Sequence, residues 1–327
     1  MGRVLLAPME GLADHALREV LTRIGGYDAA VTEFVRVSGS LLPLRTFQRV
    51  SPELLQQGRT RAGTPVIVQL LGSDPGCMAE NAARLASLAP PGIDLNFGCP
   101  APTVNRHGGG AMLLAAPDQL FRIAEAVRRA VPSTLPVSAK MRLGVGDTSR
   151  ALDCALALEA GGVGSLVVHA RTKADGYKPP AHWEWVARIR DGVHLPVTAN
   201  GEVWTADDHT RCRSVSGSDD VMIGRGAVAD PFLARRIRAR RAGAALLPDR
   251  RADWLELRPH LADYWQAVLG RVEARHAPGR LKQWLAHLAR TFVEAEALLR
   301  AIRHARDVAE VTPELDAAGV SVRRDAA

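Results

Sequence analysis

Three pieces of the segment 137–169 set the pattern: Val137-Ser138-Ala139-Lys140-Met141, Leu152-Asp153-Cys154-Ala155-Leu156-Ala157-Leu158-Glu159 and Ser165-Leu166-Val167-Val168-His169. The outer two are compact, β-branched apolar runs bounded by proline, glycine or charge, as expected of strands buried on both faces. The middle piece reads as a helix. The same alternation extends both ways from this unit. Strands are expected at 4–7, 29–32, 66–70 and 93–96 before it and at 197–200 and 221–223 after it. Helical patterns fall between most of them, at 78–88, 120–130, 183–190 and 206–214. Strand and helix alternating eight times predicts a (β/α)8 TIM barrel. A doubly wound sheet is the rival, but eight units and the lack of a Gly-x-Gly-x-x-Gly turn after the first strand count against it. Gly144 and Gly146 lack a third glycine and read as a loop.

From about residue 246 the pattern changes. Trp254, Leu257, Leu261, Tyr264, Trp265 and Val268 fall at helical spacing, as do Leu281, Trp284, Leu285, Leu288 and Phe292, and Leu298, Leu299 and Ile302 continue it. This predicts a small C-terminal helical bundle over 246–327 after a catalytic barrel over 1–245, joined by the Arg/Ala stretch 235–245 and Pro248.

The composition, 47% hydrophobic and 24% charged over 327 residues, is that of a globular protein. Nothing reads as a signal peptide, a myristoylation site or a membrane span, so the cytoplasm is expected. Cys77, Cys99, Cys154 and Cys212 are scattered, with no Cys-x-x-Cys and no histidine at zinc spacing, so neither a disulfide framework nor a metal is expected. A net charge of +7 is compatible with a phosphate-rich partner. Only four of the 42 basic residues are lysine (Lys140, Lys173, Lys178, Lys282), so a lysine within a strand asks for a reason. A compact ammonium fits a tight pocket that a guanidinium does not.

Residues at the C-terminal ends of barrel strands face the active site. Those ends read Pro8-Met9-Glu10, Glu33, Gln69, Asn96 with Cys99, Lys140 with Arg142, His169 with Arg171, Asn200-Gly201-Glu202 and Gly224-Arg225. Each alone reads as a satisfied loop residue; so many polar groups on one rim read as a site. The set suits a flavin. Asn200-Gly201-Glu202 and Gly224-Arg225 close strands seven and eight, where barrels commonly hold a phosphate, and Arg225 can bind it bidentately. His169 adjoins them. Lys140, ending strand five, can stabilise negative charge on a reduced isoalloxazine, and Gln69 can bond the ring's polar edge. A Schiff-base lysine is the alternative; it leaves Gln69, Asn96 and Cys99 without roles. Cys99 lies on a Gly/Pro-framed loop, whereas the other cysteines fall on helices. A thiol with a pKa near 8.5 is mostly protonated at neutral pH and can donate a proton.

Several motifs together resemble the tRNA-dihydrouridine synthase family: Ala7-Pro8-Met9-Glu10-Gly11, Asp94-Leu95-Asn96-Phe97-Gly98-Cys99-Pro100, His107-Gly108-Gly109-Gly110-Ala111, His169-Ala170-Arg171-Thr172, Asn200-Gly201-Glu202 and Ile223-Gly224-Arg225-Gly226-Ala227. Within it, Thr32-Glu33-Phe34-Val35-Arg36-Val37 and Leu281-Lys282-Gln283-Trp284-Leu285 resemble the bacterial C-type synthases, which act on U16 of the tRNA D-loop. Phe97 stands where relatives can carry another residue.

The resemblance implies tightly but non-covalently bound FMN, held by Pro8, Met9, Glu10, Gln69, Lys140, His169, Asn200, Gly201, Glu202, Gly224 and Arg225, with NADPH as a transient reductant. It implies hydride delivery from flavin N5 to uracil C6 and a proton from Cys99 to C5. The target base has to leave its stack. Asn96 is expected to bond the uracil edge, with Tyr177 or Arg171 supporting the base, and Gly108–Gly110 to act as a mobile cover. The helical domain is expected to grip tRNA through Arg280 and Lys282, with Arg36, at the end of strand two, as a further contact, in a monomer with no obligate protein partner. Three rivals remain: a flavin barrel acting on a free pyrimidine, akin to dihydroorotate dehydrogenases, a tRNA-binding protein without catalysis, and a non-flavin lyase.

Overall fold

A computed structural model describes residues 2–105, 108–244 and 248–320. The chain forms two compact units, Met1–Gly11 with Tyr27–Gly224, and Leu12–Gly26 with Arg225–Ala327. The domain boundary expected at 245/246, like His107 in the glycine motif, lies outside the described residues.

The strands are β1 (Val4–Leu6), β2 (Ala29–Val31), β3 (Val35–Arg36), β4 (Val66–Leu71), β5 (Ile93–Phe97), β6 (Val137–Arg142), β7 (Ser165–His169), β8 (Val197–Asn200) and β9 (Val221–Ile223). All but β3 close a parallel ring in the order β1-β2-β4-β5-β6-β7-β8-β9, with β9 back against β1. This is the expected eight-stranded TIM barrel. Helices α1 (His15–Ile24), α2 (Leu44–Val50), α3 (Pro75–Ala86), α4 (Pro102–Asn105), α5 (Pro117–Ala130), α6 (Ala151–Ala160), α7 (Trp183–Gly192) and α8 (Ala206–Ser216) lie between strands.

Three expectations need adjusting. Arg36 does not end strand two; it lies in the separate short strand β3, which pairs with the end of β4 through Val35↔Leu70 and Arg36↔Leu71. Lys140 does not end strand five, because β6 runs on through Met141 to Arg142. Helix α3 begins three residues earlier than its apolar periodicity suggests, because the Asp74 side chain caps the Cys77 N–H at 2.7 Å and Pro75 supplies a preset φ at the first turn.

Strand register sorts side chains by face, since alternate residues point inward. One half of the barrel interior is apolar, with Leu5, Ala7, Ala29, Val31, Val167 and Met222 in one cluster against Ile67. The other half is polar. Gln69 pairs in register with Asp94, Asp94 with Ser138, and Asn96 with Lys140. A packed barrel needs no polar wall, and burying one is unfavourable unless its groups find partners.

The second unit contains α1 together with α9 (Arg225–Ala229), α10 (Leu233–Arg241), α11 (Arg250–Leu269), α12 (Ala277–Leu288), α13 (Val293–Ala301) and α14 (Val308–Ala317). Its core is aromatic. Tyr264 meets Trp284 edge-on with ring centroids 4.7 Å apart, and Trp254 lies 5.8 Å from Phe292. The Trp284 indole N–H donates to the Val228 carbonyl at 3.2 Å. Arg236 joins Asp230 and Asp253 in a largely buried ion cluster that ties α10 to α11. No described helix is long and apolar enough to cross a membrane.

Candidate active site

The loop after β5 is built around Asn96. Its Oδ1 accepts the backbone N–H groups of Gly98 at 2.9 Å and Cys99 at 3.0 Å, which folds the chain so that Cys99 lies just beyond the strand. Cys99 packs with Leu71, Val104, Phe34 and Ala101 and is only 8% exposed. Burial pushes its thiol above the ordinary range; Glu10 adds to that shift, while Arg36 and Arg142 oppose it. The glycine run packs against this loop. The Ala111 N–H donates to the Cys99 carbonyl at 3.0 Å, and a Cβ on Gly110 would come within 2.7 Å of that carbonyl oxygen. Gly110 is therefore a buttress under Cys99, where the sequence suggested part of a cover.

Arg142, at the true end of β6, is fully buried and joins two loops. It donates from Nε to the Gly98 carbonyl at 2.9 Å and from Nη1 to Thr172 at 2.9 Å and Gly176 at 2.8 Å. Its guanidinium lies 5.2 Å from the Tyr177 ring centroid. Tyr177 is 54% exposed, with its ring 6.1 Å from that of His169. Sequence reasoning placed Arg142 on the rim without a role; the signal available was a buried-strand arginine two residues from Lys140.

Lys140 is buried on the inward face, and its ammonium has no hydrogen-bond partner among the described residues. Burial lowers its pKa to about 8, with nearby Arg142 lowering it further and Asp94 raising it. Asp94 is a second residue that sequence reasoning quoted but did not use. It accepts from Gln69 Nε2 and from Ser138 Oγ, each at 2.6 Å. Burial raises its pKa, and Ser138, Gln69 and Lys140 all oppose that rise.

On the far side of the barrel, His169 and Asn200 end adjacent strands in register, and Asn200 Nδ2 donates to the Met222 carbonyl at 2.9 Å. Gly201 has φ 119°, and a Cβ there would sit 3.0 Å from the His169 ring, so glycine is needed on both counts. Glu202 accepts from the Trp204 indole at 2.9 Å and from Arg171. Arg171 is fully buried and also donates to the Lys178 carbonyl at 2.7 Å, so it holds the 172–178 loop rather than presenting a free guanidinium. Gly224 lies beside Ala7 and Met9, a Cβ there meeting their side chains at 3.7 and 3.8 Å. Pro8, Met9 and Glu10 follow β1, and the Gly11 N–H is taken by Glu33.

The structure thus gathers Met9, Gln69, Asn96, Cys99, Lys140, His169, Asn200, Gly201 and Gly224 at one end of the barrel. Arg36 is exposed in β3 and close enough to Cys99 to act on its titration. Arg225 opens α9 in the second unit. There Arg280 pairs with Asp14 at 2.7 Å and bonds Gln283 at 2.8 Å. The Lys282 ammonium donates to the Arg303 and Ala305 carbonyls at 3.0 and 2.6 Å. Lys282→Met is accordingly expected to lower stability by about 1–2 kcal/mol, seen as a lower melting temperature. An unchanged melting temperature would mean that these two hydrogen bonds contribute nothing to the fold.

The family model described as dihydrouridine synthase (Dus) matches residues 5–320. Three relatives are each named tRNA-dihydrouridine(16) synthase. That of Ralstonia nicotianae is 59% identical over 95% of this chain and 94% of its own. That of Aquipseudomonas alcaligenes is 58% identical over 93% and 96%, and that of Neisseria meningitidis serogroup A is 46% identical over 96% and 94%. Among solved structures, a 2-naphthoyl-CoA reductase complex matches with a TM-score of 0.55 at 11% identity over 74% of this chain and 50% of that one. Histamine dehydrogenase from Rhizobium sp. 4-9 matches with a TM-score of 0.54 at 14% identity over 81% and 48%. The chain spans about half the length of these two structures, which speak for the barrel alone. With the motifs in their places on that barrel, the chain belongs to the dihydrouridine synthase family.

Proposed function

We propose that this protein is an FMN-dependent enzyme that uses NADPH to reduce uridine to 5,6-dihydrouridine in the D-loop of tRNA, at U16. The observation that carries the reading is Cys99, a buried thiol on the loop folded by Asn96, the residue that pairs in register with the inward Lys140. The relatives' names supply the position.

The residues fit a flavin. The Lys140 ammonium has no hydrogen-bond partner among the described residues, and Asp94 acts on it through charge alone, so its N–H groups can take an electron-rich ring edge. Gln69 and His169 flank that wall, with Pro8, Met9 and Glu10 at the end of β1. Asn200, Gly201, Glu202, Gly224 and Arg225 follow the last two strands, where glycine allows close approach to a phosphate. When bound, FMN supplies the hydride for uracil C6.

The chain's own residues do the rest. Cys99 keeps its proton at neutral pH and gives it to C5 from the face opposite the hydride. Asn96, whose oxygen is committed to the backbone, offers the base an N–H donor. Tyr177, exposed above His169 and held by Arg142, can stack on or bond the flipped nucleotide, and Arg171 sets the loop that carries it. Arg36 is exposed and close enough to Cys99 to act on its titration, and it suits an RNA phosphate. Arg280 and Lys282 are assigned to tRNA through the second unit, although both side chains already serve internal contacts. A monomer in the cytoplasm without a protein partner completes the reading.

Transcripts differing only at position 16 test the site assignment. The expected result is one dihydrouridine per transcript with U16 and none when U16 is replaced by cytidine. Product from both would leave the family standing and move the target elsewhere. Turnover of free uracil or dihydroorotate in place of tRNA would favour the free-pyrimidine reading.

A further inference from the structure

We infer that Asp94 is a positioning residue that terminates a one-way hydrogen-bond relay running through Gln69 and Asn96 to the Cys99 loop. The direction is forced from the backbone end. The Gly98 and Cys99 N–H groups can only donate, so the atom of Asn96 that meets them is its oxygen. Asn96 Nδ2 then faces Gln69, whose Oε1 accepts at 2.6 Å. Gln69 must therefore turn its Nε2 the other way, and the group that receives it must be an acceptor. Asp94 Oδ2 is that acceptor, and Ser138 Oγ holds the other carboxylate oxygen.

All the side chains in the relay are buried, Asp94 to 2% exposure, so a broken link is not replaced by bulk water. A leucine at 94 would leave the Gln69 amide with an unmet donor; the amide would reorient to satisfy it, and Asn96 would lose its fixed partner. Among the described residues, the ties that remain from the Gly98 and Cys99 backbone to the rest of the barrel are then those to Arg142 and Ala111. The relay commits the Asn96 oxygen twice, so what Asn96 has left to offer an occupant of the barrel mouth is an N–H, which suits a carbonyl oxygen. Family resemblance assigns Gln69, Asn96 and Cys99 to cofactor, base and proton; it gives Asp94 nothing.

The catalytic consequence rests on the proposed uridine reduction, whereas the relay itself can be tested without it. The test uses the purified full chain and follows alkylation of Cys99 by iodoacetamide, with peptide mapping to separate it from the more accessible Cys77. Asp94→Leu is expected to speed Cys99 alkylation roughly ten-fold through a loosened loop. It should lower kcat for tRNA reduction on the order of 10²-fold with KM for tRNA unchanged, because the thiol is misplaced rather than the RNA lost. Asp94→Asn keeps an acceptor oxygen for Gln69 and should bring both readings back to within about three-fold of wild type. If Asp94→Leu does not fold, Gln69→Met cuts the relay one link further on and must produce the same faster alkylation. Cys99 alkylation at the wild-type rate in the folded variant, or an Asp94→Asn protein as impaired as Asp94→Leu, would overturn the relay. A wild-type protein that reduces no tRNA would sink the functional reading and leave the alkylation contrast to decide on Asp94.

Discussion

Cys99→Ala is expected to lower uridine reduction in tRNA by roughly 10²–10⁴-fold while fold, flavin content and NADPH oxidation persist. The expectation follows from where the thiol lies and from its protonation. Burial keeps the proton on sulfur at neutral pH, which suits a donor and not a nucleophile. The side chain is small and its loop is held by contacts to the backbone of residues 98 and 99, so alanine removes the proton source and little else. Cys77, Cys154 and Cys212 lie on helices α3, α6 and α8, and alanine at those positions should leave reduction intact. The measurement is dihydrouridine per tRNA against time under single-turnover conditions. Wild-type rates in the variant would remove Cys99 from the chemistry.

The second large effect is on stability. Burial lowers the Lys140 pKa to about 8 in the folded protein, against an ordinary value of 10.5. Below pH 8 the side chain is charged in both states, and the folded state alone bears the cost of desolvating it. As pH rises from 8 to 10.5 the folded state sheds the proton while the unfolded state keeps it, so the cost fades; above 10.5 it is gone. Lys140→Met, which matches the stem without the charge but also removes the cation that acts on Asp94, is therefore expected to stabilise the cofactor-free protein at pH 7, by less than the full desolvation cost. That advantage should shrink through pH 8–10.5, and the variant should lose flavin-dependent activity. Denaturant unfolding of both proteins at pH 7 and pH 10 measures it. A destabilised variant at pH 7, or a gap independent of pH, would mean that Lys140 is not a strained ammonium in the barrel. Stability set aside in this way is common where a buried charge serves function.

The barrel was legible because its strands are buried on both faces and read as short apolar runs with clear punctuation. The strands at Ser165–His169, Val197–Asn200 and Val221–Ile223 lie where those runs predict. Helix starts were less legible, since α3 opens at the Asp74 cap and Pro75, and α5 at Pro117, ahead of the apolar periodicity. Two-residue β3 has no periodicity to read, so Arg36 was placed on the wrong strand. Grouping α1 with the C-terminal helices depends on contacts between residues far apart in sequence, such as Arg23 with Asp263, which no local pattern records.

Within the site, residue types at strand ends identified the rim, but not which polar groups were already committed. Arg171, Arg280 and Lys282 all looked available to RNA and are all engaged within the protein. Asp94 was hidden for the opposite reason. An acid between Ile93 and Leu95 in a buried strand is expensive without partners, and that cost was a signal that a relay had to exist.

The most direct test of the central claim is dihydrouridine formation in unmodified bulk tRNA with purified protein and NADPH, followed by mapping of the modified position. The account predicts one product, dihydrouridine at position 16, from a yellow protein. No dihydrouridine from a flavin-loaded protein that oxidises NADPH would contradict it.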